Sequence, residues 1–512
     1  MFFDNIHGNK VEANVTFQLW EISTETGGLD MAKDRYESPL GGRYASPQML
    51  FLFSDDRKFG GEMGWRGIWY QLALAERDHG VDCITEGMLD EMLSHLNDPI
   101  DYVRVAQIEK KNRHDVMANN LAYGEVCPGA KGIIALAATS CDTTDNVEQV
   151  IMREGMILVC KALARVIARL GRFAEQYKSL PTLGYTHYQP ASLITVGKRA
   201  CMWNQNYLMD LQHLQWLIGN MRLRGLKGAT GTQASYLELF GGDHGRVLAA
   251  EKQFAAALGF NSVFTITGQT YTRKVDSWVL GALSSVAESV CKMAMDIRLL
   301  AHDKEIEEPF ESGQIGSSAM AYKRNPMRCE RACSLSRIPM AMGVVARITE
   351  SIQFLERSLD DSAARRIAIA EAFLAVDAIL RIIQNVSEGL VVYPAVIARR
   401  ISDELPFMAT EKFIIEMVSA GADRQECHEK IRVHSQEAGA VVKQQGKPND
   451  LLERLLADPY FAPIHIRLEE LCDPMSYVGR APEQVDQFLE EEVKPALEPY
   501  KDELGVTAEL SV

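Results

Sequence analysis

Residues 276–302 read DSWVLGALSSVAESVCKMAMDIRLLAH. Apolar residues recur along this stretch at alternating spacings of four and three, which is the heptad pattern of helices that pack nearly parallel. At 1.5 Å per residue, the helix that this pattern predicts would be on the order of 40 Å long. The apolar stripe consists of Val279, Leu283, Val286, Val290, Met293, Ile297 and Leu300.

Two further stretches, 159–173 and 369–383, carry the same stripe. Strand signals are weak by comparison, and FNSVFTIT at 260–267 is the best candidate. The sequence therefore predicts a mainly α chain with a central bundle of long helices. A self-contained coiled coil does not fit, because polar loops rich in functional residue types interrupt the helices. These loops are 38–47, 111–120, 136–146, 183–199, 227–236, 312–331 and 356–366.

The chain is acidic, with a net charge of −15 over 512 residues. This charge argues against nucleic acid as a partner, because binding to phosphate backbones depends on basic surfaces. It would also repel an anionic ligand from the protein as a whole. Any anion site must therefore be built from locally clustered arginine and lysine side chains.

The sequence also bears on the compartment. No run of about 18 apolar residues occurs, so we expect no membrane partner. Residues 1–20 lack the cationic and apolar segments of a secretory signal. The ten cysteines are scattered without CxxC pairs. That scatter favours reduced thiols in a cytoplasmic protein over a disulfide framework or a zinc site.

The loop at 312–331 reads SGQIGSSAMAYKRNPMRCER. Asn325, followed by proline, suits the N-cap of a helix. We expect that helix end and Lys323 to point back toward the serines at 317–318. Unpaired N–H groups at a helix N-terminus favour a carboxylate or a phosphate. The glycines at the entry would let the loop move as a lid.

The segment SSAMAYKRNP within this loop resembles the signature of the fumarase/aspartase superfamily: two serines, any residue, Met-Pro, any residue, Lys, any residue, Asn. Ala321 stands where that signature has proline. Other segments, from about residue 36 onward, resemble the adenylosuccinate lyase family of the type found in animals. They are RYASP, RHDVMA, ATSCDTTDN, GYTHYQPA, GATGTQAS, ITGQTYTRKVD, DDSAARR, LPFMATE and CHEKIRVHSQ. Ala137, directly before the segment ATSCDTTDN, stands where relatives often have glycine, and we expect it to tighten that turn.

The resemblance implies a fumarase/aspartase-like chain of three domains, at 1–139, 140–392 and 393–512. It implies β-elimination of fumarate from succinyl nucleotides: adenylosuccinate, which gives AMP, and the succinylated aminoimidazole carboxamide ribotide. No metal or organic cofactor is implied, because an acid, a base and oxyanion donors suffice. Family members place loops of three subunits in each active site, so we expect a homotetramer with active sites shared between subunits.

The elimination needs a base for a carbon-bound proton, donors for the resulting aci-carboxylate and an acid for the departing nitrogen. The resemblance makes Ser317 the base, and Ser318 stays open as an alternative. His187 matches the general acid, since histidine titrates near neutral pH. Lys323 and Asn325 suit the donor role.

The remaining polar loops would build the anion site that the net charge requires. Arginine suits phosphate because its planar fork binds two oxygens. His114 is also a catalytic candidate, which either pairs with the phosphate or orients His187. The substrate-binding candidates are Arg43, Tyr44, Arg113, His114, Asp115, Thr139, Ser140, Thr186, Gln233, Asn325, Arg331, Arg357, Ser362 and Arg366.

Two alternatives stay open at this point. Another fumarate-releasing lyase of the same fold would share Ser317 and Lys323, but it would not need the RYASP and DDSAARR segments. A non-catalytic helical scaffold would explain the heptads but not the polar loops.

Overall fold

The computed structural model describes residues 32–311, 313–508 and 510. Short helices form the first part of the chain, and each begins after a polar or glycine residue that can end an extended segment. Ser46, Ser54 and Thr85 accept hydrogen bonds from the first turns of their helices, as N-caps do. The helices are α1 (Pro47–Leu52), α2 (Asp55–Phe59), α3 (Trp65–Asp78), α4 (Glu86–Ser94), α5 (Tyr102–Asn112) and α6 (Asp115–Val126).

The central part contains the long helices that the heptad stripes predict. All residues of the three stripes are buried, so the predicted mainly α architecture with a long-helix bundle is confirmed. The elements are α7 (Ser140–Gln176), β1 (Pro181–Thr186), β2 (Gln189–Thr195), α8 (Val196–Asn220), α9 (Ala234–Leu239), α10 (His244–Ala257), α11 (Lys274–His302), β3 (Ile306–Glu307), α12 (Met327–Leu335), α13 (Arg337–Ile352) and α14 (Asp361–Glu388).

Helices α7, α11 and α14 run in the same direction. Arg273, just before α11, pairs with Asp145 near the start of α7 (3.2 Å) and with Asp361 at the start of α14 (2.7 Å). At the opposite end, β3 after α11 pairs with a strand after α14, Ile306 opposite Val392. We call the end where these three helices begin the N-end of the bundle and the opposite end the C-end.

Helices α8 and α13 run in the opposite direction to α7 and α11. The Gly197 N–H at the start of α8 donates to the Tyr177 carbonyl at the end of α7. Lys274 at the start of α11 lies 3.4 Å from Glu350 near the end of α13. With 29 residues, α11 separates the N-end from the C-end by about 43 Å.

The last part of the chain has a small core of its own and a tail on the bundle. The buried residues between Ala409 and Leu471 form a separate apolar cluster, whereas Val485 and Val493 pack into the main core. The elements are β4 (Val391–Val392), α15 (Pro394–Met408), α16 (Thr410–Ser419), α17 (Arg424–Gln445), α18 (Leu451–Ala457), α19 (Leu468–Leu471), α20 (Ala481–Phe488) and α21 (Lys494–Leu497), with 3₁₀ turns at Pro459–Arg467, Pro474–Tyr477 and Glu498–Glu503 and a π-helical turn at Leu489–Val493.

The predicted strand at 260–267 is wrong. Its only strand-like pairing among the described residues is a single bridge between Val263 and Leu223. A β-propensity stretch cannot form a ladder without an extended neighbour. The longer pair of strands, β1 and β2, forms instead at 181–195, largely within the segment 183–199 that we expected to be a loop, because each strand supplies the other's partner.

None of the helices in the described part of the chain combines the length and the apolar content that crossing a bilayer takes.

Candidate functional site

At the N-end, His114 and Ser140 bring the starts of two helices together. His114 is the N-cap of α6, and its Nδ1 accepts a hydrogen bond from the Met117 N–H at 3.4 Å. In the neutral ring the proton then lies on Nε2, which donates to Ser140 Oγ at 3.2 Å. Ser140 is the first residue of α7, after the N-cap Thr139. The contact fixes the neutral tautomer of His114 and joins the segments 113–115 and 139–140.

Two arginines of the 356–366 segment join the same cluster. The Arg366 guanidinium donates to Asp115 Oδ2 at 2.8 Å. Burial raises the pKa of Asp115, but this guanidinium and the Val116 N–H outweigh it and hold the pKa below its ordinary value. Ser362 lies one turn before Arg366 on α14. Asp115 therefore stays ionised and orients Arg366 across the gap between α6 and α14.

Arg357 contacts a residue that the sequence did not single out. Its Nη1 donates to Gln269 Oε1 and lies as close to Cys141 Sγ, both at 3.2 Å, while its Nη2 donates to Asp361 Oδ1 at 3.3 Å. Gln269 lies in the segment ITGQTYTRKVD, so its signal was the resemblance of that segment. We add Gln269 to the candidates at the N-end.

Gln233 turns its amide inward. It adopts φ of 59° before α9, and its Nε2 donates to the Leu226 carbonyl at 2.6 Å. Its backbone N–H donates to the Lys227 carbonyl at 2.9 Å. These bonds close the loop 226–233 on itself beside the start of α7. Gln233 thus shapes the loop, and its side-chain nitrogen is already engaged within the chain.

At the C-end, His187 lies at the tip of the β1–β2 hairpin. His187 and Tyr188 take φ of 52° and 57°, the left-handed values of both central residues in a type I′ turn. Glycine or asparagine usually fills such positions because other side chains are strained there. Thr186 and His187 are exposed, and the His187 ring has no hydrogen-bond partner among the described residues. The hairpin presents an uncommitted imidazole to whatever lies opposite it.

The base of the hairpin is fixed to the junction after α11. Glu305 is fully buried there and pairs with Arg400 Nε of α15 at 2.7 Å. It also accepts a hydrogen bond from Thr182 Oγ1 at 3.3 Å. The Arg400 Nη2 donates to the Tyr185 hydroxyl at 3.0 Å. The hairpin that carries the imidazole is therefore anchored at its base by Glu305 and Arg400.

The signature loop presents Ser317 and Lys323. The Ser317 Oγ accepts hydrogen bonds from the N–H groups of Ala319 (3.3 Å) and Met320 (3.2 Å). The Lys323 amine is exposed and has no hydrogen bond or ion pair within the described residues. One side chain is thus oriented by the loop's own backbone, and the other is available to a ligand.

The neck of this loop is closed by Gly316 and Asn325. Asn325 Nδ2 donates to the Gly316 carbonyl at 2.7 Å. A Cβ on Gly316 would lie 2.1 Å from the Lys323 carbonyl, so only glycine fits this close approach.

The expected N-cap role of Asn325 is wrong. Helix α12 begins at Met327 with Pro326 as its N-cap, and no side chain of that residue caps it. Glu308 instead accepts hydrogen bonds from the N–H groups of Arg328 (3.0 Å) and Cys329 (2.9 Å). These helix-end donors are satisfied by a buried carboxylate and do not point to the serine pair. The sequence could not reveal this, because Glu308 precedes the loop by several residues.

Arg43, Tyr44 and Arg331 line one cleft near the C-end, together with Ile382 of α14. The Arg43 guanidinium lies 5.9 Å from the centre of the Tyr44 ring. Within the described residues, neither Arg43 nor Arg331 has an ion pair or a side-chain hydrogen bond. Two cations without counter-ions in an acidic protein mark this cleft as a candidate anion site.

The candidate residues therefore form two groups, separated by the length of α11. Within one chain, no hydrogen bond links the groups in the part that the structure describes. No set of three or more His, Cys, Asp or Glu side chains there is arranged to hold a metal ion. The N-end group is Arg113, His114, Asp115, Thr139, Ser140, Gln233, Gln269, Arg357, Ser362 and Arg366; the C-end group is Arg43, Tyr44, Thr186, His187, Ser317, Lys323, Asn325 and Arg331.

The sequence is similar to known lyases. The sequence profile of a family described as "Lyase" matches residues 43–338, and one described as "Adenylosuccinate lyase C-terminus" matches residues 406–488. The chain is 50% identical to adenylosuccinate lyase of Saccharomyces cerevisiae over 92% of its own length and 98% of the relative's. It is 47% identical to adenylosuccinate lyase of Schistosoma mansoni over 94% and 99% of the two chains.

A solved structure supports the architecture. The crystal structure of fumarate lyase from Mesorhizobium sp. BNC1 matches with a TM-score of 0.74 and 21% identity, over 88% of this chain and 99% of that one. At this identity the match establishes the fold alone, which is the predicted fumarase/aspartase-like arrangement.

Proposed function

The chain belongs to the adenylosuccinate lyase family, and from this membership we propose that it cleaves adenylosuccinate into AMP and fumarate by β-elimination. We propose the same reaction on the succinylated aminoimidazole carboxamide ribotide. The observation that carries the proposal is the loop 313–326, in which Ser317 is oriented by two N–H groups and Lys323 is uncommitted.

Ser317 is the proposed base. The N–H groups of Ala319 and Met320 already donate to its oxygen. Hydrogen bonds to an oxygen favour its anionic form, and loss of water on closure of the loop would strengthen them. The anion would take the proton from the succinyl carbon, and the electron pair would move onto the neighbouring carboxylate.

Lys323 and Asn325 are the proposed donors to that aci-carboxylate. The Lys323 amine has no partner among the described residues, and Asn325 uses one N–H for the neck of the loop and retains a second. Preformed donors stabilise such a dianion best. Collapse of the dianion breaks the C–N bond, and His187 gives its proton to the departing nitrogen.

The two arginine-bearing regions have separate proposed roles. The cleft of Arg43, Tyr44 and Arg331 suits the phosphate, since its two cations lack counter-ions. The cluster around Arg357 and Ser140 supplies donors for the rest of the substrate. The His114 Nε2 and the Ser140 Oγ are hydrogen-bonded in this structure, which supports a role in orienting that segment.

We further propose a homotetramer in which neighbouring chains combine their ends. The N-end and C-end groups lie toward opposite ends of a bundle whose helix α11 is about 43 Å long, so antiparallel neighbours are needed to join them. Helix α8 has an exposed apolar stripe at heptad spacing that suits burial against another helix. Its residues are Met202, Met209 and Trp216, which are 47%, 59% and 52% exposed.

The proposal also covers the cellular compartment and the domain boundaries. We place the protein in the cytoplasm, which its scattered cysteines without CxxC pairs support. We retain domain boundaries at 139/140 and 392/393; α7 begins at Ser140 and β4 ends at Val392.

Ultraviolet spectroscopy tests the function. Adenylosuccinate given to the purified protein should lose absorbance as fumarate appears. No change with this substrate, but fumarate from argininosuccinate or aspartate, would refute the proposal in favour of another lyase of the fold.

A matched pair of serine variants tests the roles. Ser317→Ala and His187→Ala should each lower kcat at least about a hundredfold while substrate still binds, whereas Ser318→Ala should keep most activity. Mixing the two inactive variants should restore some turnover if each site takes its His187 and its Ser317 from different chains. An active Ser317→Ala enzyme beside an inactive Ser318→Ala enzyme would move the base to Ser318.

A further inference from the structure

A buried ion pair, Asp142 with Arg224, lies behind the N-end cluster. The two side chains are 1% and 0% exposed. The Arg224 Nη1 donates to Asp142 Oδ1. Burying such a pair costs desolvation that only complete hydrogen bonding offsets. The remaining contacts of the pair therefore indicate what it holds in place.

The carboxylate of Asp142 fixes two backbone segments. Its Oδ2 accepts from the Thr139 N–H at 2.8 Å, where α7 begins. Its Oδ1 accepts from the Lys227 N–H at 2.8 Å, and the Gly228 N–H lies 3.2 Å from both oxygens. One carboxylate thus sets the position of Thr139–Ser140 relative to the loop 226–233.

The guanidinium of Arg224 fixes a third segment. Its Nε donates to the Gln269 carbonyl at 3.0 Å, and its Nη2 donates to the Gly228 carbonyl at 3.0 Å. The side chain of the same Gln269 accepts from Arg357. The pair is therefore connected, through one residue, to the arginine of the segment 356–366.

We propose that Asp142 and Arg224 are positioning residues that set the geometry of the N-end half of the substrate site. The inference rests on the proposed function. The pair touches no ligand-facing atom itself, because both side chains are buried. It acts through Ser140, Gln269 and Arg357, so its loss should weaken substrate binding and leave the proton-transfer groups at the C-end unchanged.

Asp142→Asn tests this inference, because it keeps the shape of the side chain but replaces an acceptor oxygen with a donor. We expect kcat/KM for adenylosuccinate to fall on the order of a hundredfold, mostly through KM. The pH profile of kcat should keep its wild-type form. The matched control is Asp210→Asn, a 4% exposed carboxylate that binds Ser285 and Ser289 within the bundle; it should keep the wild-type KM.

Mixing with Ser317→Ala separates positioning from misfolding. A folded Asp142→Asn chain should restore activity with the wild-type KM when mixed with Ser317→Ala, since the two defects lie at opposite ends of the bundle. If Asp142→Asn does not fold, Arg224→Lys takes its place, with the same expected rise in KM. A folded variant of either residue that keeps the wild-type KM would overturn the inference. A wild-type protein that does not cleave adenylosuccinate would refute the proposed function instead.

Discussion

Glu76 is a carboxyl group buried without a hydrogen-bond partner. It lies on α3 with no exposed surface, and neither of its oxygens is bonded within the described residues. Burial, with a smaller contribution from the negative charge of Asp142, raises the pKa of Glu76 to about 9. At neutral pH the folded protein therefore holds this group as the uncharged acid.

Replacing Glu76 should change how stability depends on pH. The unfolded chain releases the Glu76 proton near pH 4.5 and the folded chain near pH 9. Between these values the folded state binds more protons, so stability is full below the lower pKa and falls as pH rises, by up to about 1.4 kcal/mol per pH unit. Glu76→Gln should remove this slope and raise the thermal midpoint at pH 8.

The control is Glu86→Gln, whose carboxylate is 82% exposed; it should leave the pH dependence unchanged. A Glu76→Gln protein with the wild-type slope of thermal midpoint against pH would contradict this account of the buried acid.

Ala137 stands where relatives often have glycine, and the structure shows the backbone conformation that favours glycine there. It takes φ of 55°, in the left-handed region where glycine is favoured. An L side chain costs roughly 1–2 kcal/mol there. The turn before Thr139 therefore forms although alanine is unfavourable at this position, which agrees with the importance of placing the start of α7.

The signature loop contains a well-formed turn at Ala321, the position where the family signature has proline. The Lys323 N–H donates to the Met320 carbonyl at 3.1 Å, which closes a four-residue β-turn. Ala321 holds the second position of this turn, where proline is favoured because its φ is already set.

Ala321→Pro should therefore order the loop. The substitution removes unfolded conformations and should stabilise the turn by up to about 1 kcal/mol. We expect slower proteolysis within 313–324 and more complete closure, measured as a higher kcat/KM.

Ala319→Pro is the opposing control, because the Ala319 N–H donates to Ser317 and proline cannot make that bond. It should lower activity. Unchanged proteolysis and turnover in Ala321→Pro would show that the flexibility of this turn is irrelevant.

The elements that the sequence predicted are those with a repeating pattern. Three heptad stripes predicted three long helices, since residues at that spacing lie on one face, and can be buried together, only in a helix. The β1–β2 hairpin was missed because its turn is His187-Tyr188 instead of the usual glycine or asparagine. The N-cap at Asn325 was wrong because a carboxylate far along the chain, Glu308, took its place.

For the whole molecule, the exposed stripe on α8 predicts association. Met209 lies at its centre and is 59% exposed. Glu at this position would place an unpaired charge in a buried helix contact, at a cost of several kcal/mol per contact. Met209→Glu should therefore dissociate the proposed tetramer and abolish activity, which light scattering and turnover measure together.

Val103→Glu is the matched control, since Val103 is similarly exposed (56%) but lies on α5, outside the bundle. It should keep both the assembly and the activity. A Met209→Glu protein that remains tetrameric would locate the interface elsewhere.

The candidate site could be proposed from sequence only as a set of residues. The segments around His114, His187 and Ser317 were recognisable because each carries its own pattern. Their grouping at two ends of the bundle was not, since it depends on the direction in which α7, α11 and α14 run. The link from Asp142 to Arg224 joins residues that are 82 positions apart and leaves no local signal.

The direction of these three helices also limits how the chain can change length. One residue inserted within α11 would rotate everything beyond it by about 100° and move it by about 1.5 Å. Glu305 and the hairpin would then no longer have their present orientation relative to Arg273 at the other end. Natural insertions and deletions should therefore occur in the surface loops and not within the long helices, whose lengths set the distance between the two ends of the bundle.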